Sequence, residues 1–223
     1  MTKPRADIKI ARILIVDDHP LVRQGLSELI SHEPDLEVCG EASAAGEAFQ
    51  KVQSTRPDLV LIDLSLKDIS GLELIKQIKA WKNTTKMLVV SMLDESIYAE
   101  RALHAGAMGF VNKEEATEKV IEAVRDVLEG KVYLGDQSRD RVLHRVVGGK
   151  VELAEPSVHS LSDRELEVFE LIGQGQTTKQ IATRMRLSSK TVETHRDRIK
   201  AKLKLANITE LTRRAVHWVL EKN

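Results

Sequence analysis

Residues 13–18 read Ile-Leu-Ile-Val-Asp-Asp, and this stretch decides the fold of the first half of the chain. Four apolar residues in an unbroken run predict a strand buried on both faces, because a strand with one wet face alternates apolar and polar residues. Similar runs follow at Leu36–Cys39, Leu59–Ile62, Met87–Val90 and Phe110–Val111. The sequence therefore predicts five buried strands.

Amphipathic stretches typical of helices follow these runs, at Leu21–Ser31, Ala44–Ser54, Leu72–Lys79, Ile97–His104 and Thr117–Glu129. Strands that alternate with helices are typical of parallel sheets, whose strands need crossover connections. We predict that residues 10–130 form an α/β domain with a flavodoxin-like, doubly wound sheet of five parallel strands.

The charge of the chain is balanced overall but unevenly distributed. The 223 residues hold 34 Lys/Arg and 34 Asp/Glu. From 160 to 223 there are 13 basic and 8 acidic residues, a net of +5, so the remainder carries −5. Opposite signs in the two parts predict different partners.

The sequence has no apolar run of the roughly 18 residues that a membrane helix needs. Its polar start and single cysteine also favour a soluble, cytoplasmic protein without disulfides.

The second half of the chain reads as a linker followed by helices. Glycine and proline signals at 148–149 and 155–157 place a linker at 131–159, with a short helix predicted around Val142–Val147. Residues 160–223 predict a four-helix domain. Ser162 and Glu165 form a capping box, Thr177 and Gln180 form a similar one, and Asn207 caps the last helix. A third helix is predicted at 190–204, after a tight break at 187–189.

Polar residues follow the strands of the predicted sheet. Asp17 and Asp18 follow the first strand, Asp63 the third, Ser91 the fourth and Lys113 the fifth. Ligands of open parallel sheets bind beyond the carboxyl ends of the strands, so these residues are expected on one rim. Three carboxylates need a cation, and oxygen ligands suit Mg²⁺. A carboxylate can also attack phosphorus to form an aspartyl-phosphate, whose oxygens Lys113 and Ser91 would stabilise.

The segments Val16–His19, Leu61–Leu64, Val89–Ser91 and Gly109–Lys113 resemble the receiver domains of two-component response regulators. The resemblance implies that Asp63 is the phosphoacceptor and that Asp17, Asp18, Asp63 and the backbone at Leu64–Ser65 hold Mg²⁺. It implies that Ser91 and Lys113 sense the phosphoryl group and that Phe110 moves with them. Leu66-Lys67 replaces the family's usual Met-Pro pair, and Glu114-Glu115 stands where a proline is common; these changes bear on loop rigidity and phosphoryl lifetime.

The third helix of the second domain has the pattern of a recognition helix. Val192, Ile199 and Leu203 form an apolar stripe, with His195 beside it. From 177 to 204 there are 9 basic and 2 acidic residues, a net of +7. A basic helix after a short turn fits the major groove of DNA. We expect the DNA-contacting residues to be Lys179, Lys190, Thr191, Glu193, Thr194 and Arg198. Two roles are open for Glu193. It could accept a hydrogen bond from the amino group of a cytosine, or it could form a salt bridge with Arg196 or Arg198.

The segments Leu161–Glu165, Gly175–Ala182 and Ser188–His195 resemble the LuxR/NarL-type DNA-binding domain. Thr177-Thr178 replaces the Ser-Asn that is common there, and a threonine can still cap a helix. The resemblance implies a dimer contact on the last helix, for which we select Leu211, Ala215 and Trp218.

The two resemblances predict a response regulator rather than an enzyme. A sensor histidine kinase or a small phosphodonor would phosphorylate Asp63. The recognition helix would then be released, or the chain would form a homodimer on double-stranded DNA, or both. One alternative is a Mg²⁺-dependent phosphatase, although such enzymes place the nucleophile after the first strand. The other is a DNA-binding protein whose receiver is not phosphorylated.

Overall fold

The computed structural model describes residues 10–81, 84–115, 117–136, 138–140, 157–185 and 187–221. These residues form two compact units, one before and one after 141–156. The short helix predicted around 142–147 lies outside the described residues. Within the described ranges, no helix combines the length and the apolar character that crossing a membrane requires.

The first unit alternates strands and helices, as predicted. The strands are β1 (Ala11–Val16), β2 (Leu36–Ala42), β3 (Leu59–Ile62), β4 (Lys86–Ser91) and β5 (Gly109–Asn112). The helices are α1 (Pro20–Ser31), α2 (Ala45–Thr55), α3 (Gly71–Trp81), α4 (Glu95–Ala105) and α5 (Thr117–Glu129). Several strands are longer than their apolar runs, because the backbone ladder continues through polar residues such as Lys86, Ser91 and Asn112.

The strands form one parallel sheet in the order β2-β1-β3-β4-β5, which confirms the predicted doubly wound fold. The register of β1 against β2 shifts after Ile13, so that Cys39 is passed over and β2 runs on to Ala42. Helices cover both faces of the sheet. Ile15, Leu61 and Val90 pack with residues of α1 and α5 on one face, and the intervening Leu14, Val60 and Val89 are buried as well.

The chain after α5 stays attached to the sheet. The Tyr133 backbone forms a parallel bridge with Gly109 at the outer edge of β5. The Phe110 amide donates to the Tyr133 carbonyl at 3.0 Å, and the Tyr133 amide donates to the Met108 carbonyl at 3.0 Å. Leu134 is buried. The sequence places the end of the first domain at 130, and these contacts continue the first unit beyond that residue.

The second unit is helical. After a 3-10 turn at Val158–Ser160 come α6 (Asp163–Gly173), α7 (Thr178–Met185), α8 (Ser189–Leu203) and α9 (Ile208–Leu220). All three predicted caps are present. Ser162 and Glu165 exchange hydrogen bonds, Thr177 and Gln180 do the same, and Asn207 accepts from the Glu210 amide. Short-range capping chemistry therefore fixes where these helices begin.

Glu165 forms an ion pair in addition to its hydrogen bonds in the capping box. Its buried carboxylate also pairs with Lys202 of α8, with 2.6 Å between Oε2 and Nζ. Burial alone would raise the pKa of Glu165, but the bonds from Lys202 and Ser162 outweigh it and lower that pKa. The pair thus holds α8 against α6, and its contribution to stability is present at neutral pH and lost as the pH falls through the lowered pKa.

Candidate functional site: an acidic pocket and a basic helix face

The carboxyl ends of β1 and β3 bring three aspartates together at one edge of the sheet. Asp17 and Asp18 follow β1, and Asp63 follows β3. The three residues are 1%, 8% and 3% exposed. One ligand atom from each, together with one from His19, lies within 4.8 Å of the others. The predicted gathering of these carboxylates is therefore present in the fold, and we call it the acidic pocket.

Asp63 is held by hydrogen bonds on both carboxylate oxygens. The Ser91 hydroxyl donates to Oδ1 at 2.7 Å, and the backbone amide of Ser65 lies 3.2 Å from the same oxygen. Lys113 Nζ lies 2.8 Å from Oδ2. Ser91 ends β4, which pairs with β3, and Lys113 follows β5, the next strand along the sheet, so each of these two strands supplies one donor to the carboxylate. This arrangement places a hydroxyl and an ammonium beside any group attached to Asp63.

Lys113 links two of the acidic strand ends. Its Nζ lies 2.6 Å from Asp17 Oδ2 as well as 2.8 Å from Asp63 Oδ2, and its side chain is only 9% exposed. Burial acts to lower the pKa of Lys113, but the charges and hydrogen bonds of Asp63 and Asp17 outweigh burial and raise it. The ammonium is therefore charged at neutral pH, and its stabilising effect is lost only when the pH rises through the raised pKa.

The Lys113→Met variant is expected to lower the free energy of unfolding of the first unit by about 3 kcal/mol at neutral pH. Methionine keeps the apolar stem but leaves the buried carboxylates of Asp17 and Asp63 without their shared cation. Urea unfolding followed by circular dichroism measures the effect. Lys119→Met, which removes an exposed lysine paired with Glu115, is the control and should change little. Equal stabilities for the two variants would contradict the assigned role of Lys113.

The donor set of the acidic pocket fits a hard divalent cation. The three aspartates offer oxygen ligands, which Mg²⁺ prefers in proteins. Asp18 Oδ1 is buried and accepts no hydrogen bond from the described residues; His19 Nδ1 lies 2.8 Å away but not in hydrogen-bonding geometry. A buried carboxylate oxygen without a donor is costly unless a cation or water satisfies it. The residues present therefore suit Mg²⁺.

Three residues at the pocket were not predicted as part of it. The His19 amide donates to Asp17 Oδ1 at 2.8 Å, and Arg23 donates to the Asp17 carbonyl at 2.7 Å. Lys67, in a loop, places Nζ 3.5 Å from Asp18 Oδ2. His19 lies within the motif Val16–His19, so the sequence gave a signal for it, whereas Arg23 lies in α1 and outside the motifs identified from the sequence. The sequence gave no signal that Lys67 would reach the pocket, because its position depends on the conformation of the loop after β3.

Phe110 is 1% exposed and lies on β5 next to Val89 of β4. Its burial places the ring in the interior of the first unit. The predicted movement of this ring with Ser91 and Lys113 stays a prediction.

The basic surface lies on α8 and the start of α7 in the second unit. Val192 and Ile199 are fully buried and Leu203 nearly so, which confirms the predicted core stripe. Lys190, Thr194 and Arg198 lie on the exposed part of α8, and Lys179 is exposed on α7. Together these four residues form a surface on which a polyanion can rest.

Two of the predicted DNA-contacting residues have partners within the unit. The Thr191 hydroxyl and amide lie 2.7 and 3.0 Å from the hydroxyl of Ser188, which caps α8. Glu193 forms an ion pair with Arg196 at 2.9 Å, one of the two partners considered from the sequence. Glu193 also accepts a hydrogen bond from Thr178 of α7 at 2.7 Å.

The structure corrects the predicted dimer contact. Leu211 and Ala215 are fully buried within the second unit, and Trp218 packs its ring 6.3 Å from that of Phe169. The apolar face of α9 packs against α6. The backbone of Ala215 lies so close to Gly173 of α6 that a Cβ on residue 173 would be 2.3 Å from the Ala215 carbonyl oxygen.

Comparisons with known proteins match both units. A family model described as the response regulator receiver domain matches residues 13–125, and one described as bacterial regulatory proteins, luxR family, matches residues 159–215. A putative transcriptional regulator of Pseudomonas aeruginosa is 35% identical over 208 residues, covering 92% of this chain and 98% of that protein. The oxygen regulatory protein NreC of Staphylococcus epidermidis is 35% identical over 216 residues, covering 95% and 97%.

Solved structures share the same architecture. A two-component response regulator of the LuxR family from Aurantimonas sp. SI85-9A1 has 34% identity and a TM-score of 0.58, over 62% of this chain and 99% of that chain. RcsB from Salmonella enterica serovar Typhimurium, bound to promoter rprA in the presence of phosphomimetic BeF3−, has 24% identity and a TM-score of 0.69, over 92% and 97%. At that identity the RcsB structure supports the fold alone.

Proposed function

The chain belongs to the two-component response regulators that carry a LuxR-type DNA-binding domain, and from this premise we propose that a phosphoryl group on Asp63 controls how the second unit binds DNA. The observation that carries the proposal is the environment of Asp63, where Ser91 and Lys113 already donate to its two oxygens. The proposed domains are the predicted 10–130, extended through Leu134 by the pairing of Tyr133 with β5, and 160–223, joined by a linker.

The proposed reaction is transfer of a phosphoryl group to the Asp63 carboxylate. A carboxylate oxygen attacks phosphorus, the bond between phosphorus and the donor's leaving group breaks, and the leaving group departs with the electron pair of that bond. Ser91 and Lys113 would then donate to the phosphoryl oxygens instead of to the carboxylate. Because both donors are already within 2.8 Å of Asp63, little rearrangement is needed to meet the new charge.

We propose that Asp17, Asp18 and Asp63, with the backbone at Ser65, hold Mg²⁺ in the acidic pocket. The ion would supply positive charge to the phosphoryl oxygens and relieve repulsion between the carboxylates. The proposed donor is a sensor histidine kinase, since the receiver family implies such a partner, with small acyl phosphates as substitutes in vitro.

We further propose that the phosphorylated chain binds double-stranded DNA as a homodimer in the cytoplasm. Lys179, Lys190 and Arg198 would contact phosphates, while Thr191, Glu193 and Thr194 would face base edges. A two-fold pair of recognition helices reads two half-sites, which gives a longer specific sequence than one copy does.

DNA binding with and without a phosphodonor tests this function. Duplexes that the full chain enriches from random oligonucleotides are titrated with protein treated with acetyl phosphate and Mg²⁺, or with the same mixture plus EDTA. We expect phosphorylated protein to bind the enriched duplex at least about fivefold more tightly, as a typical coupling between two sites allows. Equal affinity for protein whose phosphorylation is verified by mass spectrometry would overturn the proposed control.

A further inference from the structure

Three polar side chains connect α7 with the exposed part of α8, and we call them the Thr178 cluster. Thr178 Oγ1 donates to Glu193 Oε1 at 2.7 Å, and Arg196 donates to the same oxygen at 2.9 Å. Arg196 also donates to Thr178 Oγ1. Thr178 opens α7, while Glu193 and Arg196 lie one turn apart on α8. The cluster therefore joins the two helices that make up a helix-turn-helix.

The contacts restrain Glu193 more than an ordinary surface ion pair would. Two donors from different helices converge on one oxygen, Oε1, so the carboxylate cannot rotate without breaking both bonds. The Arg196 side chain is 16% exposed, whereas that of Glu193 is 53% exposed. Within the described residues, Thr178 and Arg196 both contact Glu193 through Oε1, so neither of these two donors uses Oε2.

We propose that Thr178 and Arg196 are positioning residues that hold Glu193 so that its second carboxylate oxygen reads a cytosine in the bound DNA. This inference rests on the proposed DNA-binding function and adds a base preference to it. In the major groove, cytosine presents an amino donor, whereas guanine and thymine present acceptors that repel a carboxylate. Adenine presents an amino group beside the N7 acceptor, so it is the weaker match.

Arg196 also offsets the repulsion between the Glu193 carboxylate and the DNA phosphates. A carboxylate that enters a groove between phosphate strands is repelled unless a cation accompanies it. The guanidinium of Arg196 contacts Glu193 directly, so the pair adds no net charge at the base edge. Thr178 is suited to join them, because one hydroxyl can donate to the carboxylate and accept from the guanidinium.

The test compares base preference among variants that remove the Thr178 hydroxyl, keep it, or remove the Glu193 carboxylate. The wild-type chain, Thr178→Val, Thr178→Ser, Glu193→Ala and the control Thr183→Val are each titrated with the duplex that the wild type enriches and with duplexes changed at one base pair. Thr183 lies on the same helix, and its exposed hydroxyl donates to the Lys179 carbonyl. Thermal unfolding of each variant is measured alongside.

At one base pair the wild type should prefer cytosine about tenfold, as a good side-chain contact to a base edge allows. Glu193→Ala should abolish that preference and Thr178→Val should reduce it severalfold. Thr178→Ser, which keeps the hydroxyl, and Thr183→Val should retain it. A cytosine preference that survives in Glu193→Ala, or one that is undiminished in Thr178→Val, overturns the inference while leaving the proposed function intact. If the wild type enriches no sequence, the proposed function fails together with the inference.

Discussion

Asp63→Asn protein is expected to gain no phosphoryl mass when incubated with acetyl phosphate and Mg²⁺, whereas the wild type gains one phosphoryl group. The amide of asparagine fills the same space but is not a nucleophile toward phosphorus. The substitution also removes the charge that Lys113 contacts at 2.8 Å, although Asp17 still pairs with that lysine. The effect should therefore be complete, and intact-protein mass spectrometry measures it directly.

The matched control is Asp58→Asn, which changes an aspartate just before the opposite end of the same strand. Asp58 Oδ2 accepts from the Arg12 amide, a bond that an asparagine oxygen can also accept, so this variant should take up the phosphoryl group like the wild type. Asp63→Asn should also lose the gain in DNA affinity that phosphodonor gives the wild type. Undiminished mass gain in Asp63→Asn would mean that another residue is the acceptor.

Gly71→Ala is expected to destabilise the first unit by about 3 kcal/mol, at the upper end of typical overpacking costs. A Cβ at this position would lie 2.3 Å from the Asp63 carbonyl oxygen and 2.7 Å from Leu64 Cα. Both neighbours are backbone atoms at or next to Asp63, so α3 cannot move away from the added methyl group without displacing the chain at the carboxyl end of β3. Urea unfolding should show the loss, and phosphoryl uptake from acetyl phosphate should slow as well.

Gly25→Ala is the control for that substitution and should act in the opposite direction. Gly25 lies within α1, and a Cβ there would meet nothing within 4 Å. Alanine in an open helical position is expected to add about 0.5–1 kcal/mol. A Gly71→Ala protein as stable as the wild type would show that the close approach of α3 to Asp63 is not required.

Sequence patterns were sufficient for the elements whose causes are local. Apolar runs located all five strands. Those of β1, β3, β4 and β5 are unbroken, because burial of both faces leaves a direct mark on composition, whereas the run of β2 is interrupted by the exposed Glu37. The caps at Ser162 and Thr177 were equally readable, since both partners lie within four residues. The acidic pocket followed from these strands, because parallel strands end at the same edge of the sheet.

Features that depend on long-range packing were harder to predict. The face of α9 that carries Leu211 and Ala215 has the apolar spacing of an interface, and spacing alone cannot distinguish a dimer contact from contact with α6. The hydrogen bond between Thr178 and Glu193 joins residues that are 15 positions apart in the sequence, so it depends on the angle between α7 and α8. Lys67 likewise reaches Asp18 only through the path of its loop.

The pairing of Tyr133 with β5 has a practical consequence for anyone who isolates the first unit. A fragment that stops at 130 would leave the amide of Phe110 and the carbonyl of Met108 without these partners at the outer edge of the sheet. An unpaired sheet edge is a template for strands of other molecules, and it promotes self-association. Fragments for crystallisation or spectroscopy should therefore extend at least through Leu134, whose buried side chain anchors the protective segment.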